Sequence, residues 1–278
     1  MHTAPAWLKV LAYCVAVLIS VICLYPYFWM LVSAFRSSQA ILSSPLRPWP
    51  ENISFGVLRE IAVLGGTPLW RYALNSIVIT ITSTVLGILV TALGAYALVR
   101  RPDFWFFRLL RMGFMVTIMY PYMLLVIPVY IVMYKLGLLG SYSGIILFLA
   151  LGPIQFFLFE QFFRTIPKSI LEAAVIDGAS EARILFSVVM PLAMPVVATA
   201  SIITFLLNWA QWLPVMVVSK SPDTYTLPVA LMNINGELGV NFQGIMALSV
   251  LTTIPVTLFF LVAQRRVMSG MTAGAVKG

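Results

Sequence analysis

Long uncharged, apolar stretches alternate with short charged segments along the chain. After Lys9 no charged residue occurs until Arg36, and further uncharged runs follow at about 73–99, 113–133, 142–159, 193–218 and 244–263. Runs of roughly 20 apolar residues suit helices crossing a hydrocarbon layer about 30 Å thick, whereas barrel strands read as shorter alternating segments. The pattern predicts an all-α integral membrane protein with six transmembrane helices, at about 10–35, 73–99, 113–133, 142–163, 193–218 and 244–263, forming one transmembrane domain over residues 1–278. The first run is longer than a signal-peptide core of about 7–15 residues. It reads as a retained span, although Val32-Ser33-Ala34 has the form of a cleavage triplet. Residues 36–72 are polar and proline-rich and make the longest extramembrane loop, with a candidate interfacial helix over Phe55–Leu64. Pro26, Pro121, Pro128, Pro153 and Pro255 fall within spans. Each removes an N–H and is expected to kink its helix, either as ordinary packing or as part of a bundle that bends.

Composition agrees: 61% of residues are hydrophobic and 9% charged, where a soluble domain has about a quarter charged. The net charge is +8, but the basic residues sit between apolar runs, so membrane orientation accounts for them and no nucleic-acid partner is expected. With an even number of spans, 11 of the 17 Lys and Arg residues fall on the side holding both termini and the loop 164–192, against 6 on the other. The excess places the N and C termini, that loop and the tail 264–278 in the cytoplasm, and the loop 36–72 outside. Cys14 and Cys23 both lie in the first run and behave as small hydrophobes, leaving the redox compartment undetermined.

Candidate chemistry is sparse. No charged residue lies in the central part of a span, which weakens a proton-coupled carrier but leaves sodium coupling through backbone carbonyls open. The one histidine is His2, so Ser/His/Asp and His-metal sites are missing, and no phosphate-binding G-x-x-x-x-G-K-[ST] loop occurs. Neither catalysis nor a metal site is expected of this chain, and if ATP drives it, another chain binds the nucleotide.

The polar interruption at Glu172-Ala173-Ala174-Val175-Ile176-Asp177-Gly178-Ala179-Ser180 has its own design. Ser169 and Glu172 have capping-box spacing and predict a helix start at Ser169 after Pro167. Leu171, Ala174, Val175 and Gly178 then share one small, apolar face. Gly178 is a natural stop, and Ser180 caps a second short helix running through Glu181 and Arg183 toward Phe186 and Pro191. The apolar face suits either close docking of another protein or the bilayer surface. Glu172 either caps its own helix or meets that partner, and Asp177 either caps the turn or makes an external contact.

The series Glu172-Ala173-Ala174-x-x-Asp177-Gly178-Ala179, followed by Phe186 and Met190-Pro191, resembles the EAA loop of bacterial ABC-importer permeases. Phe162–Pro167, Leu124–Leu139, Ala73–Ser76, Gln264-Arg265-Arg266 and the tail Gly270–Gly278 are similar to the carbohydrate-uptake branch, in particular to subunits of the maltose-system G type. The resemblance implies a type I ABC-importer permease fold in a bacterial inner membrane. It implies a coupling helix in which Glu172, Ala173, Ala174, Asp177, Gly178 and Ala179 seat in an ATPase cleft. It also implies that Gly274, Ala275, Val276, Lys277 and Gly278 reach the ATPase, although the glycines alone read as a flexible end. The implied partners are a second homologous permease, two ABC ATPase subunits, an extracytoplasmic solute-binding protein, the lipid bilayer and a sugar-type substrate. ATP and Mg belong to the ATPase, and no cofactor is implied for this chain. One departure occurs after Phe205, where the family's Trp-Asn-acid-Phe is replaced by Trp209-Ala210-Gln211-Trp212. Tyr120, Tyr122, Asn208, Trp209, Gln211 and Trp212 are candidates to line a substrate pathway, against the alternative of interfacial aromatics and interhelical hydrogen bonds. An ion-coupled secondary transporter, an ABC permease for a non-sugar solute and a membrane enzyme or scaffold are the competing functions.

Overall fold

The computed structural model describes residues 5–45, 47, 49, 50, 53–238 and 241–275, with side chains except at 122, 235–238 and 264–275. The first helix, α1 (Ala6–Ser33), contains Pro26. It is followed by α2 (Ser38–Ser43), opened by Ser37, whose hydroxyl accepts from Ala40 N at 3.3 Å. The helix expected over Phe55–Leu64 shrinks to α3 (Gly56–Glu60), because the chain then folds into a hairpin of β1 (Val63–Leu64) and β2 (Thr67–Pro68). Gly65 and Gly66 form its two-residue turn with φ of 55° and 76°, the positive values that match strand twist in such turns.

The remaining order is α4 (Leu69–Arg100), α5 (Trp105–Met119), α6 (Tyr122–Lys135), α7 (Tyr142–Ala150), α8 (Pro153–Thr165), α9 (Lys168–Ile176) and α10 (Glu181–Ile184). A π-helical turn over Leu185–Val189 then leads to α11 (Met190–Leu192), α12 (Met194–Ala210), α13 (Leu213–Val218), α14 (Leu227–Leu238) and α15 (Phe242–Ala275). Among the described residues, three helices are long and apolar enough to cross a membrane unbroken: Ala6–Ser33, Leu69–Arg100 and Phe242–Ala263. Two bent pairs raise this to five, Tyr142–Ala150 with Pro153–Thr165 at 44° and Glu181–Leu192 with Met194–Ala210 at 78°. The chain is a multi-pass membrane protein.

Several expected spans are therefore broken rather than kinked. The third divides at Tyr120, which takes extended angles (φ −87°, ψ 137°) ahead of Pro121, the conformation a following proline imposes. Gly152 does the same before Pro153 in the fourth, and the fifth breaks at Gln211 and Trp212. The helix α14 lies outside all six expected spans, and α15, whose stretch apolar enough to cross a membrane is Phe242–Ala263, runs on as a helix through the tail to Ala275.

The chain forms two compact units, Met1–Leu69 with Ala230–Ile254 and Trp70–Val229 with Pro255–Gly278. In the first, Arg36 is buried and donates to the carbonyls of Ala40 (2.8 Å), Ser44 (2.7 Å) and Arg47 (3.1 Å), satisfying the end of α2. In the second, Phe156, Phe159 and Phe163 of α8 pack with Ile88, Ala92 and Ala95 of α4 and with Ile184, Leu185 and Val189. A neighbouring cluster joins Ile79, Met133, Ile145, Leu149, Val215, Val218 and Val229. Gly87 permits a close approach of α4 to the end of α7, since a Cβ at that position would collide with the carbonyl oxygen of Ala150.

Candidate functional site

The loop between α8 and α12 is built from one long contact surface and one exposed tip. Its first helix opens two residues earlier than the capping-box spacing predicts. Pro167 occupies the N-cap, its carbonyl accepts from Ile170 N at 3.2 Å, and no side chain caps the helix. Ser169 is thus inside α9, and Glu172 is left exposed with no side-chain partner among the described residues. At the other end, Gly178 takes φ 74°. Its N–H donates to Val175 O at 3.0 Å, and Ala179 N donates to Ala174 O at 3.0 Å. This paired arrangement satisfies the last carbonyls of a helix, and the left-handed residue it needs suits glycine. Ser180 then caps α10, accepting from Arg183 N at 3.4 Å.

Packing divides the expected apolar face. Leu171 is buried, and Ala174 and Ala179 are half-buried, in the same core that holds Phe163 and Ile184. They anchor the loop to its own chain. The side turned outward carries Glu172, Ala173, Asp177 and Gly178, all exposed, together with Val175 at 51% and Ile176 at 85% exposure. Periodicity places Leu171 and Val175 on one stripe, and the core covers only its first part. Asp177 is the C-cap of α9 and has no side-chain partner among the described residues.

Charged residues outside these candidates hold the loop in place. Glu181 accepts from Arg100 Nη2 at 2.6 Å, from Arg100 Nε at 3.1 Å and from Tyr96 Oη at 2.7 Å, which ties α10 to the end of α4. Hydrogen bonds from Arg100, and then from Tyr96, keep the Glu181 carboxyl below the usual glutamate range. On α8, the buried Glu160 meets Arg111 Nε at 2.9 Å and Arg164 Nη2 at 2.8 Å, linking α5 to the helix leading into the loop. In the sequence Arg100 and Arg111 stand out only as orientation charges; the opposite sign of Glu181 and Glu160 is the signal that pairs them.

A second feature is a cavity of about 400 Å³ lined from α5, α7, α8 and α12. Tyr120, Asn208 and Gln211 line it, joined by Thr117, Gln155 and Thr204, which the sequence does not single out. Gln155 is the only amide in the uncharged run 142–159, and that is its one visible mark. Trp209 and Trp212 are placed in packing instead. Trp209 is buried against Phe205 with ring centroids 5.9 Å apart, and Trp212 packs on the cluster around Val215. The side chain of Tyr122 lies outside the described residues, as do Val276, Lys277 and Gly278, while Gly274 and Ala275 belong to the end of α15.

Comparisons with known proteins match this architecture. Residues 83–272 match the family described as "Binding-protein-dependent transport system inner membrane component". The chain is 30% identical over 265 residues to the diacetylchitobiose uptake system permease protein DasC of Streptomyces coelicolor, covering 95% of each. It is also 30% identical over 284 residues to the arabinooligosaccharides transport system permease protein AraQ of Halalkalibacterium halodurans, covering 99% of each. Among solved structures, a chain of a bacterial ABC transporter involved in the import of the acidic polysaccharide alginate superposes with a TM-score of 0.77 at 24% identity, over 95% of this chain and 99% of that one. The chain belongs to the family of binding-protein-dependent transport system inner membrane components, the non-catalytic permeases of such systems.

Proposed function

We propose that this chain is the permease subunit of an ATP-driven importer of a sugar or sugar derivative in a bacterial inner membrane, providing half of the translocation pathway. Its partners are a second homologous permease, two ABC ATPase subunits that carry ATP and Mg, and an extracytoplasmic solute-binding protein. Saccharide uptake in the names of full-length relatives supports the cargo class. The third span in this reading is the broken pair α5 and α6, which completes six spans with both termini cytoplasmic.

The observation that carries the coupling role is the construction of α9. Leu171 and Ala174 fasten one side of it to the permease core, while Val175 and Ile176 leave an apolar tip exposed beside a tight glycine turn. Burial of such a tip in a partner groove is a common recognition mode. Closure of the ATPase dimer pushes on this helix, and the push passes through α8 and α10–α12 to the spans. Coupling of this kind requires an element with two arrangements that both ATP and cargo bias. The C-terminal tail, with Gly274, Ala275, Val276, Lys277 and Gly278, is the second candidate contact with the ATPase.

Reconstitution tests the reading. Vesicles holding the chain with its co-purifying subunits should take up saccharide only when ATP is present on the ATPase side and binding protein on the other. Uptake driven by a sodium or proton gradient without ATP would contradict it.

A further inference from the structure

Just past the C-terminal end of α1 the chain encloses a small cationic pocket. Arg36 is 3% exposed, and the bonds it makes leave part of its guanidinium over. Nη2 donates to Ala40 O and Ser44 O, and Nη1 donates to Arg47 O. A guanidinium carries five donors and a permanent charge, so the Nε hydrogen and one Nη1 hydrogen have no partner among the described residues. No carboxylate among those residues pairs with Arg36 either. A buried charge that meets only carbonyl dipoles lacks its counter-charge, and burial makes that lack costly.

The pocket beside it has a volume of about 140 Å³ and is lined by Arg36, Ser37, Ser44, Arg47, Trp49 and Ser54 among others. That is too small for a whole cargo molecule, for which about 300–1,000 Å³ is usual. Ser44 and Ser54 give their carbonyls to Arg36 and Gln243, while their hydroxyls have no partner among the described residues. The hydroxyl of Ser37 accepts from Ala40 N and keeps its own hydrogen to donate. None of the described lining residues is acidic. A buried cation and several hydroxyl donors around one small space fit an anion.

Depth in the membrane decides which anion. With 28 residues, α1 is about 42 Å long, against about 40–45 Å for a bilayer with its headgroups. Arg36 comes three residues after the end of α1 at Ser33, which places it in the headgroup layer. Trp29, one turn before that end, donates from Nε1 to Pro45 O at 2.9 Å, and Ser54 N donates to Phe35 O at 3.0 Å. Both arms of the loop are thereby held down on the end of α1. Leu42, Trp49, Ile53 and Phe55 are each 60–66% exposed in the same loop, and an apolar rim with tryptophan suits the boundary between lipid and water. Phosphate is the anion fixed at that level, and guanidinium is the side chain that matches its oxygens best.

We infer that the pocket at Arg36 binds the phosphate of an anionic phospholipid, whose acyl chains enter the bilayer beside α1. The inference needs only that α1 crosses the membrane, and it is independent of the cargo.

The test uses the complete importer, purified in mild detergent, stripped of lipid and titrated with dioleoylphosphatidylglycerol or dioleoylphosphatidylcholine, with bound lipid read by native mass spectrometry. The wild type should hold one phosphatidylglycerol about tenfold more tightly than phosphatidylcholine, the scale of one charge-assisted hydrogen bond, because the choline cation opposes Arg36. The double variant Ser44→Ala with Ser54→Ala removes no side-chain hydrogen bond among the described residues. It should weaken phosphatidylglycerol binding about tenfold and leave the thermal midpoint in lipid-free detergent unchanged. Arg36→Gln should weaken binding at least as much, but Arg36 also holds α2, so the serine pair decides. A large excess of inorganic phosphate should not displace the lipid. Equal retention of the two lipids by the wild type, or unchanged retention in the serine pair, overturns the inference. Displacement by inorganic phosphate would give the site to a soluble anion. Weaker association of the binding protein in the serine pair, with lipid retention unchanged, would give it to an acidic side chain of that partner. Either result overturns the lipid assignment and leaves the permease reading intact.

Discussion

The guanidinium of Arg100 grips the carboxylate of Glu181 through two hydrogen bonds, Nη2 to Oε1 at 2.6 Å and Nε to Oε2 at 3.1 Å, so that α4 ends on the loop that follows α9. The pair is partly exposed, with 26% of the Arg100 and 58% of the Glu181 side-chain surface accessible. Its contribution to stability is accordingly about 1 kcal/mol or less. Its weight lies in position, because two spans and the loop meet there.

Arg100→Ala and Glu181→Gln should each leave the thermal midpoint of the solubilised protein nearly unchanged while lowering cargo-stimulated ATP hydrolysis of the assembled importer several-fold. The exchange Arg100→Glu with Glu181→Arg should recover part of that loss. Normal stimulation in both single variants would remove the pair from the coupling path. The pH dependence follows from the lowered Glu181 value. The ion pair is fully present above the ordinary glutamate value of about 4.3 and is lost as pH falls through the lower folded-state value. Between pH 5 and 8 the pair should contribute no change in unfolding midpoint, and the wild-type minus Glu181→Gln difference measures this.

Gly178 is required for its backbone and not for space within the chain. Its φ is 74°, and a Cβ there would meet nothing within 4 Å. Gly178→Val should destabilise the loop by about 1–2 kcal/mol, the cost of a side chain in the left-handed region, and Gly178→Asn by less. Hydrogen exchange of the Gly178 and Ala179 amides reads the effect directly. Equal protection in the valine and asparagine variants would contradict it.

Gly87 has the opposite character, since a Cβ there would collide with Ala150 O, whereas one on Gly113 meets nothing within 4 Å. Gly87→Ala should destabilise the protein by about 1–3 kcal/mol, typical of overpacking, and disturb the α7–α8 break. Gly113→Ala should be neutral or slightly stabilising because alanine favours helix. Thermal unfolding in one detergent compares the two, and a neutral Gly87→Ala would mean the helices are less closely apposed.

Hydropathy reveals the membrane class and the helical character because uncharged runs of that length have few other physical uses. It conceals the breaks at Tyr120, Gly152 and Gln211, since an apolar run reads the same whether its helix is continuous or not. Pro121 and Pro153 mark two of these, but a proline can kink a span as readily as end it. The loop's turn at Gly178 and the cap at Ser180 are legible because both are local. The start of α9 differs from its expected place because Pro167 supplies the opening carbonyl ahead of Ser169. The inward turn of Leu171 and Ala174 is beyond reach for a different reason: periodicity gives a face but not what covers it. The cavity shows the same limit. Thr117, Gln155 and Thr204 lie on three helices, and nothing in their spacing brings them together.

The central claim is that α9 transmits the work of a separate ATPase, and its exposed tip offers the most direct measurement. In the purified importer with Ile176 replaced by cysteine, a short bifunctional thiol reagent should join this chain to an ATPase subunit. The yield should change between ATP-bound and nucleotide-free states, and the same reagent should join nothing through cysteine at Trp7, near the start of the chain. An importer that remains active and forms no Ile176→Cys cross-link in either state would contradict the claim.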